Sequence, residues 1–284
     1  MNRWVEAARP RTLVAGIVPV LVGTAASGSF SLPRFLGALV VALGMQVGVN
    51  FANDLFDARK GVDTPRRMGP RRLTAAGLIT ESSMRNAMVI SFLIAVVTGA
   101  GLAAVAGWEL AIVGAVSILA ALGYSGGPWP YASKGLGEVF VFIFFGLVAT
   151  VGSAYVQAEE VTPLAVAASI PVGLLATAIL VVNNLRDIET DDATGKRTLA
   201  VRLGADRTRR LYRALIAGAY LFLVVVASRG GGLPALLPAL SIPLAIPPVK
   251  MVSTASGREL IAALGATARL QLVFGVLLAV GLWS

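Results

Sequence analysis

Two stretches of this sequence gather side chains that suit a hard metal ion. Residues 50–63 read Asn50-Phe-Ala-Asn53-Asp54-Leu-Phe-Asp57-Ala-Arg-Lys60-Gly61-Val-Asp63. Residues 183–192 read Asn183-Asn184-Leu-Arg186-Asp187-Ile-Glu189-Thr-Asp191-Asp192. On a helix, residues three or four apart are neighbours. That spacing pairs Asn50 with Asp54 and Asn53 with Asp57, and it aligns Asn183, Asp187 and Asp191. Each stretch therefore presents a column of oxygen ligands. Carboxylates facing one another repel unless a cation lies between them. Magnesium takes such oxygens and commonly bridges to a substrate phosphate. Basic residues stand close by: Arg59, Lys60, Arg66, Arg67, Arg71, Arg72, Lys134, Lys196 and Arg197. Arginine grips phosphate through two parallel bonds. The residues together describe a magnesium-diphosphate site. The chain contains no His and no Cys. That removes the usual neutral-pH base, a common zinc ligand and all thiolate or disulfide chemistry.

Apolar helices must position these columns. Of the 284 residues, 56% are hydrophobic and only 14% charged, and the mean hydropathy is +0.79. A bilayer-spanning helix needs about 20 mostly apolar residues. Nine candidates occur, near 13–27, 36–53, 86–106, 110–124, 137–156, 163–185, 211–227, 233–249 and 270–283. The eighth carries Pro234, Pro238, Pro243, Pro247 and Pro248, so a kink is expected there. The stretch before the first span is basic and no small-residue cleavage site follows it, so that span reads as an anchor. No linker divides the chain, which reads as one domain over 1–284. The fold class expected is all-α integral membrane, with nine helices around a central cavity capped by cytoplasmic loops.

With nine spans, all of the 24 Lys and Arg except Arg34 and Arg229 fall on one face. Such an excess marks the cytoplasmic side, so the N-terminus is expected inside and the C-terminus outside, in the cell membrane. The net charge of +9 is thereby explained by topology and contact with membrane lipid, without nucleic acid. Both acidic columns then sit at cytoplasmic ends of the second and sixth spans. Helix C-termini favour cations, and polar groups at membrane depth usually mark function. Asp54, Asp57, Asp187 and Asp191 stand against the first preference and satisfy the second.

At these residues the chain resembles the UbiA superfamily of intramembrane prenyltransferases. The first family motif is matched by Asn53-Asp54-x-x-Asp57. Where the family commonly has another Asp, Gly61 stands here, with Asp63 two positions on. That departure is typical of the branch acting on 1,4-dihydroxy-2-naphthoate in menaquinone synthesis. Arg9-Pro10-Arg11-Thr12-Leu13, Gly69-Pro70-Arg71-Arg72-Leu73, Tyr124-Ser-Gly-Gly-Pro128, Gly135-Leu136-Gly137-Glu138 and the run from Asn183 through Gly195-Lys196-Arg197-Thr198 are similar to that branch. The likeness covers residues 9 to about 203. Either Tyr124 or Tyr131 stands before Lys134 in place of the family's Tyr-x-x-x-Lys.

The resemblance implies transfer of a prenyl chain from a polyprenyl diphosphate to dihydroxynaphthoate, with loss of carbon dioxide. It implies magnesium on Asn53, Asp54, Asp57, Asp187 and Asp191, with Lys134 joining the aspartates in catalysis. Lys60, Arg66, Arg67, Arg71, Arg72, Lys134, Lys196 and Arg197 would hold the diphosphate. Arg11, Asn50, Tyr124 and Asn183 would meet the acceptor. Phe140, Phe142, Phe144 and Phe145 are candidates for the prenyl channel, and Glu138 for a base or a partner of Lys134. Another acceptor, such as 4-hydroxybenzoate or homogentisate, shares the motif skeleton. A secondary transporter is the reading from another class. The spans carry few ionisable residues in their middles, which leaves it no relay across the membrane.

Overall fold

The computed structural model describes residues 2–61, 69 and 71–284. Asp63, Arg66 and Arg67 lie outside them. The chain starts with a short helix α1 (Arg3–Ala8) and turns at Arg9, whose φ of 53° is left-handed, into α2 (Pro10–Ala26). Pro10 takes the first helical position, where a missing N–H costs nothing. There follow α3 (Leu32–Arg59), α4 (Glu81–Ala106), α5 (Glu109–Ser125), α6 (Gly137–Ala158) and α7 (Pro163–Arg186). Two short helices, α8 (Ile188–Ala193) and α9 (Leu199–Leu203), lead to α10 (Ala205–Gly231), α11 (Leu233–Thr254) and α12 (Gly257–Trp283).

The chain is a multi-pass membrane protein. Seven described helices are long and apolar enough to cross a bilayer. α2 and α5 match the first and fourth expected spans, at 17 residues each. At 1.5 Å per residue that is about 26 Å, short of the ~30 Å hydrocarbon core. Nine expected spans thus become seven of spanning length and two shorter apolar helices. The proline-rich eighth span resolves into a tight 3-10 segment, Leu233–Ser241, that continues as α-helix from Ile242.

α7 is the central post, with 78% of its spanning window buried. It packs on α2, α6, α10 and α12. Small residues permit this closeness, as expected where lipid provides no hydrophobic drive between helices. At the α6–α7 crossing, a Cβ on Gly146 would lie 2.6 Å from the Gly173 Cα. On the side away from the acidic clusters, Arg34 ties helix ends together. Its guanidinium donates to the carbonyls of Val105 (3.1 Å), Val156 (3.1 Å) and Gln157 (3.2 Å) and to Glu159 (2.7 Å). These carbonyls lack partners within their own helices.

Candidate active site

Between α2, α3, α5, α6 and α7 lies one cavity of about 570 Å³, within the range of small-molecule sites. Both acidic clusters reach it. α3 runs on through Arg59, so the whole first cluster as far as Asp57 is helical. Gln46, Asn50, Asn53 and Asp57 form its stripe along the wall. The second cluster spans a break: α7 ends at Arg186, and α8 begins beyond Asp187. The Asp191 N–H nevertheless bonds the Asp187 carbonyl at 2.8 Å. That bond carries the column across the break, and Asn183, Asp187 and Asp191 all line the cavity.

The mouth is a lattice of opposite charges. Asp57, 3% exposed, receives the Arg72 guanidinium at 2.7 Å and the Lys196 ammonium at 3.0 Å on one oxygen. Arg186 holds both oxygens of Asp187, at 2.8 and 2.6 Å, and reaches Asn183 at 2.9 Å. Gly69 lies flat on that guanidinium: a Cβ there would be 2.8 Å from the Arg186 Cζ. The Ser125 hydroxyl donates to the Asn53 Oδ1.

Several candidates stand elsewhere than the spacing suggests. Asp54 is not on the cavity wall. It is 2% exposed, and its two oxygens accept the backbone N–H groups of Leu73 (3.0 Å) and Thr74 (2.9 Å). Lys134 is exposed and off the wall, as are Arg11 and Arg71. Arg197 pairs outside with Asp192 at 3.1 Å. Lys60 donates to the Ser125 carbonyl at 2.5 Å, closing the end of α5. Partial burial there lowers its pKa, with Lys196 adding to the shift and Asp57 opposing it. Asn50 reaches the wall, but its amide is spent on the Ala8 carbonyl (2.8 Å) and the Thr12 hydroxyl (3.1 Å). Glu138 does not pair with Lys134; it accepts from Asn184 at 2.9 Å.

Residues that the motifs did not single out also reach the cavity. Arg9 lines it where Arg11 does not. Asn184 and Gln46 join it too; Gln46 stands in mid-span among apolar residues, which is itself a signal.

Deeper in, the wall is aromatic. Tyr131 and Phe140 stack at 3.9 Å, Phe144 continues the row at 6.0 Å, and Tyr124 meets Tyr131 edge-on at 5.5 Å. The Tyr131 hydroxyl donates to the Ala120 carbonyl at 2.8 Å, and burial raises its pKa, keeping it protonated. Residues Phe142–Val148 of α6 form a π-helix. Such wide turns are rare and concentrate at functional sites. Phe144 and Phe145 both face the cavity from this segment. Phe142 instead packs over Gly173 of α7.

The donor set fits magnesium. The wall offers carboxylate and amide oxygens from Asn53, Asp57, Asp187 and Asp191. Among the described residues no three carboxylates close into a ready cage. Magnesium is ordinarily held by one or two carboxylates together with substrate phosphates and water, which is what this wall supplies.

The chain is similar to known proteins. The UbiA prenyltransferase family matches residues 16–262. A 1,4-dihydroxy-2-naphthoate octaprenyltransferase of Mycobacterium tuberculosis is 40% identical over 98% of this chain and 95% of that protein. The enzyme of the same name from Escherichia coli is 41% identical over 78% of this chain and 75% of its own length. A UbiA homolog from Archaeoglobus fulgidus, solved bound to DMAPP and Mg2+, superposes with a TM-score of 0.69 at 15% identity, covering 98% of this chain and all of that one.

Proposed function

The chain belongs to the UbiA prenyltransferase family, and we propose that it transfers a polyprenyl chain from a polyprenyl diphosphate to 1,4-dihydroxy-2-naphthoate. The allylic C–O bond breaks and diphosphate leaves. The ring carbon bearing the carboxylate bonds the prenyl carbon. The carboxylate departs as carbon dioxide, returning its electron pair to the ring and leaving demethylmenaquinol. The supporting relatives are those named for this reaction. The single observation that carries the site is the cavity: one wall joins both acidic columns and their cations to an aromatic interior.

Asn53, Asp57, Asp187 and Asp191 would hold magnesium, which would offset the charge of the diphosphate. Arg72 and Lys196, already oriented by Asp57, donate to its oxygens as charge builds there; donors fixed in advance are worth most in a low-dielectric site. Lys60 is near enough to add to that field. Tyr131, Phe140 and Phe144 line the cavity where the carbon becomes cationic, aromatic surroundings that favour a cation, and the apolar walls keep water from it. Asp54 leaves the ligand set: it anchors the turn at Leu73 and Thr74, and that turn delivers Arg72 to Asp57. The site opens to the cytoplasm, with the N-terminus inside and the C-terminus outside.

The test is transfer of labelled prenyl diphosphate by the purified protein to dihydroxynaphthoate, 4-hydroxybenzoate and homogentisate, with and without chelator. Transfer to dihydroxynaphthoate that stops on chelation and returns with magnesium is expected. Preference for another acceptor would refute the substrate, and full activity under chelation would refute the metal.

A further inference from the structure

Glu138 stands in the first turn of α6, 5% exposed. It does not line the cavity, but Tyr124, Phe140, Val141 and Asn184 around it do. Its Oε1 accepts the Asn184 amide N–H at 2.9 Å, and its Oε2 is buried without a hydrogen-bond partner among the described residues. A carboxyl at membrane depth is expensive and marks function. Holding a single amide does not require one, since an apolar pair of the same shape would be nearly neutral.

The consequence lies in the direction of that amide. The Asn184 Nδ2 faces Glu138, where it donates to Oε1. The amide is planar, and its Oδ1 therefore points away from Glu138; no described residue donates to it. On the other side of the same corner, Gly137 sits beside Tyr124: a Cβ there would be in ordinary contact with the Tyr124 hydroxyl, at 3.6 Å.

We propose that Glu138 is a positioning residue that fixes the Asn184 amide with its carbonyl oxygen toward the cavity, where it receives a hydroxyl of the aromatic acceptor beside Tyr124. This rests on the prenyl-transfer reading above. A hydroxyl that donates to a carbonyl releases electron density into its ring, so the same bond orients the acceptor and makes it a better nucleophile. Acceptor selection then belongs to Asn184 and Glu138, and the diphosphate to the charged mouth.

The experiment measures KM for dihydroxynaphthoate and for prenyl diphosphate, separately, in wild type, Glu138→Ala, Glu138→Asp, Asn184→Ala and the Glu138→Ala/Asn184→Ala double variant. Thermal unfolding in detergent checks each fold. Glu138→Asp keeps the carboxyl but shortens the reach, and it decides the matter if the alanine variant does not fold. The expected result is a rise of about tenfold in acceptor KM in both Glu138 variants, the size of one lost oriented hydrogen bond. The prenyl diphosphate KM stays within about twofold, and Glu138→Ala adds less than about twofold once Asn184 is gone, as expected of residues acting in series. Additive effects, a shift confined to the diphosphate KM, or a wild-type acceptor KM in Glu138→Asp would overturn the proposal. A wild-type protein that prenylates no aromatic acceptor would instead refute the functional reading, and that is seen before any variant is assayed.

Discussion

Replacing Asp54 with alanine should release the turn around Leu73 and Thr74 while leaving the oxygen ligands of the cavity wall in place. Asp54 is 2% exposed and accepts two successive backbone N–H groups, at 3.0 and 2.9 Å. Hydrogen bonds to a charged group contribute about 1.5–3 kcal/mol each. Both pass through one carboxylate and are not independent, so the loss is about 3–4 kcal/mol. At roughly 1.4 kcal/mol per tenfold, opening of the turn becomes several hundredfold more frequent. Proteolysis follows the population of the open form when opening is fast. Trypsin cleavage after Arg71 and Arg72, followed by mass spectrometry in detergent without substrate, should accelerate by about two orders of magnitude, until it reaches the rate of an unfolded peptide. The magnesium concentration giving half-maximal transfer should stay within about threefold of wild type in whatever activity remains. Cleavage at the wild-type rate, with a magnesium requirement raised tenfold or more, would refute this reasoning and return Asp54 to the ligands.

Asp57→Ala removes the carboxylate shared by Arg72 and Lys196, and Asp187→Ala removes the partner of Arg186. Each should lower kcat at least about 100-fold, the scale of losing one preorganised electrostatic contact, in a transfer assay at saturating magnesium. Gly146→Val drives a side chain into the Gly173 backbone, where the built Cβ already lies 2.6 Å from a Cα. Overpacking costs about 1–3 kcal/mol and more where backbone must move, so a clear drop in Tm is expected from unfolding in detergent. Arg34→Met keeps the apolar stem but leaves the carbonyls of Val105, Val156 and Gln157 without their donor. It should lower Tm while leaving the acceptor KM unchanged.

Spacing located both acidic columns, and hydropathy located the helices that carry them, because burial in lipid leaves few ways to place an Asp. Spacing could not say which column faces inward. Gln46, Asn50, Asn53 and Asp57 lie on the wall, a stripe stepping by four, three and four residues. Asp54 satisfies the same four-residue rule with Asn50 yet falls beside that stripe, where the next loop collects it. The basic residues were harder still. A cytoplasmic loop is basic whether or not it binds phosphate, so Lys134, Arg71 and Arg197 read like Arg72 and Lys196 until their directions are known. Arg9 was hidden in the same way behind Arg11; the left-handed turn before Pro10 decides between them. The π-helix left no mark in composition, since Phe142, Phe144 and Phe145 suit a lipid-facing helix equally well.

The charge lattice at the mouth accounts for two of the cations that reach the cavity, Arg72 and Lys196. A carboxylate at a low-dielectric boundary is costly unless paired, and each here has its partner close at hand. Arg72 comes from the turn after α3, Lys196 from the segment after α8, and Arg186 from the adjacent position in the chain. Two of these three, Arg72 and Lys196, also line the cavity. On the proposed reading, Arg72 and Lys196 stay on Asp57 and donate to phosphate oxygens from there as substrate arrives. Lys134 and Arg71 stay exposed, and Arg197 settles on Asp192 outside. On the proposed reading the aspartates therefore hold the phosphate-binding cations as well as the metal, and both functions fall at the same two helix ends.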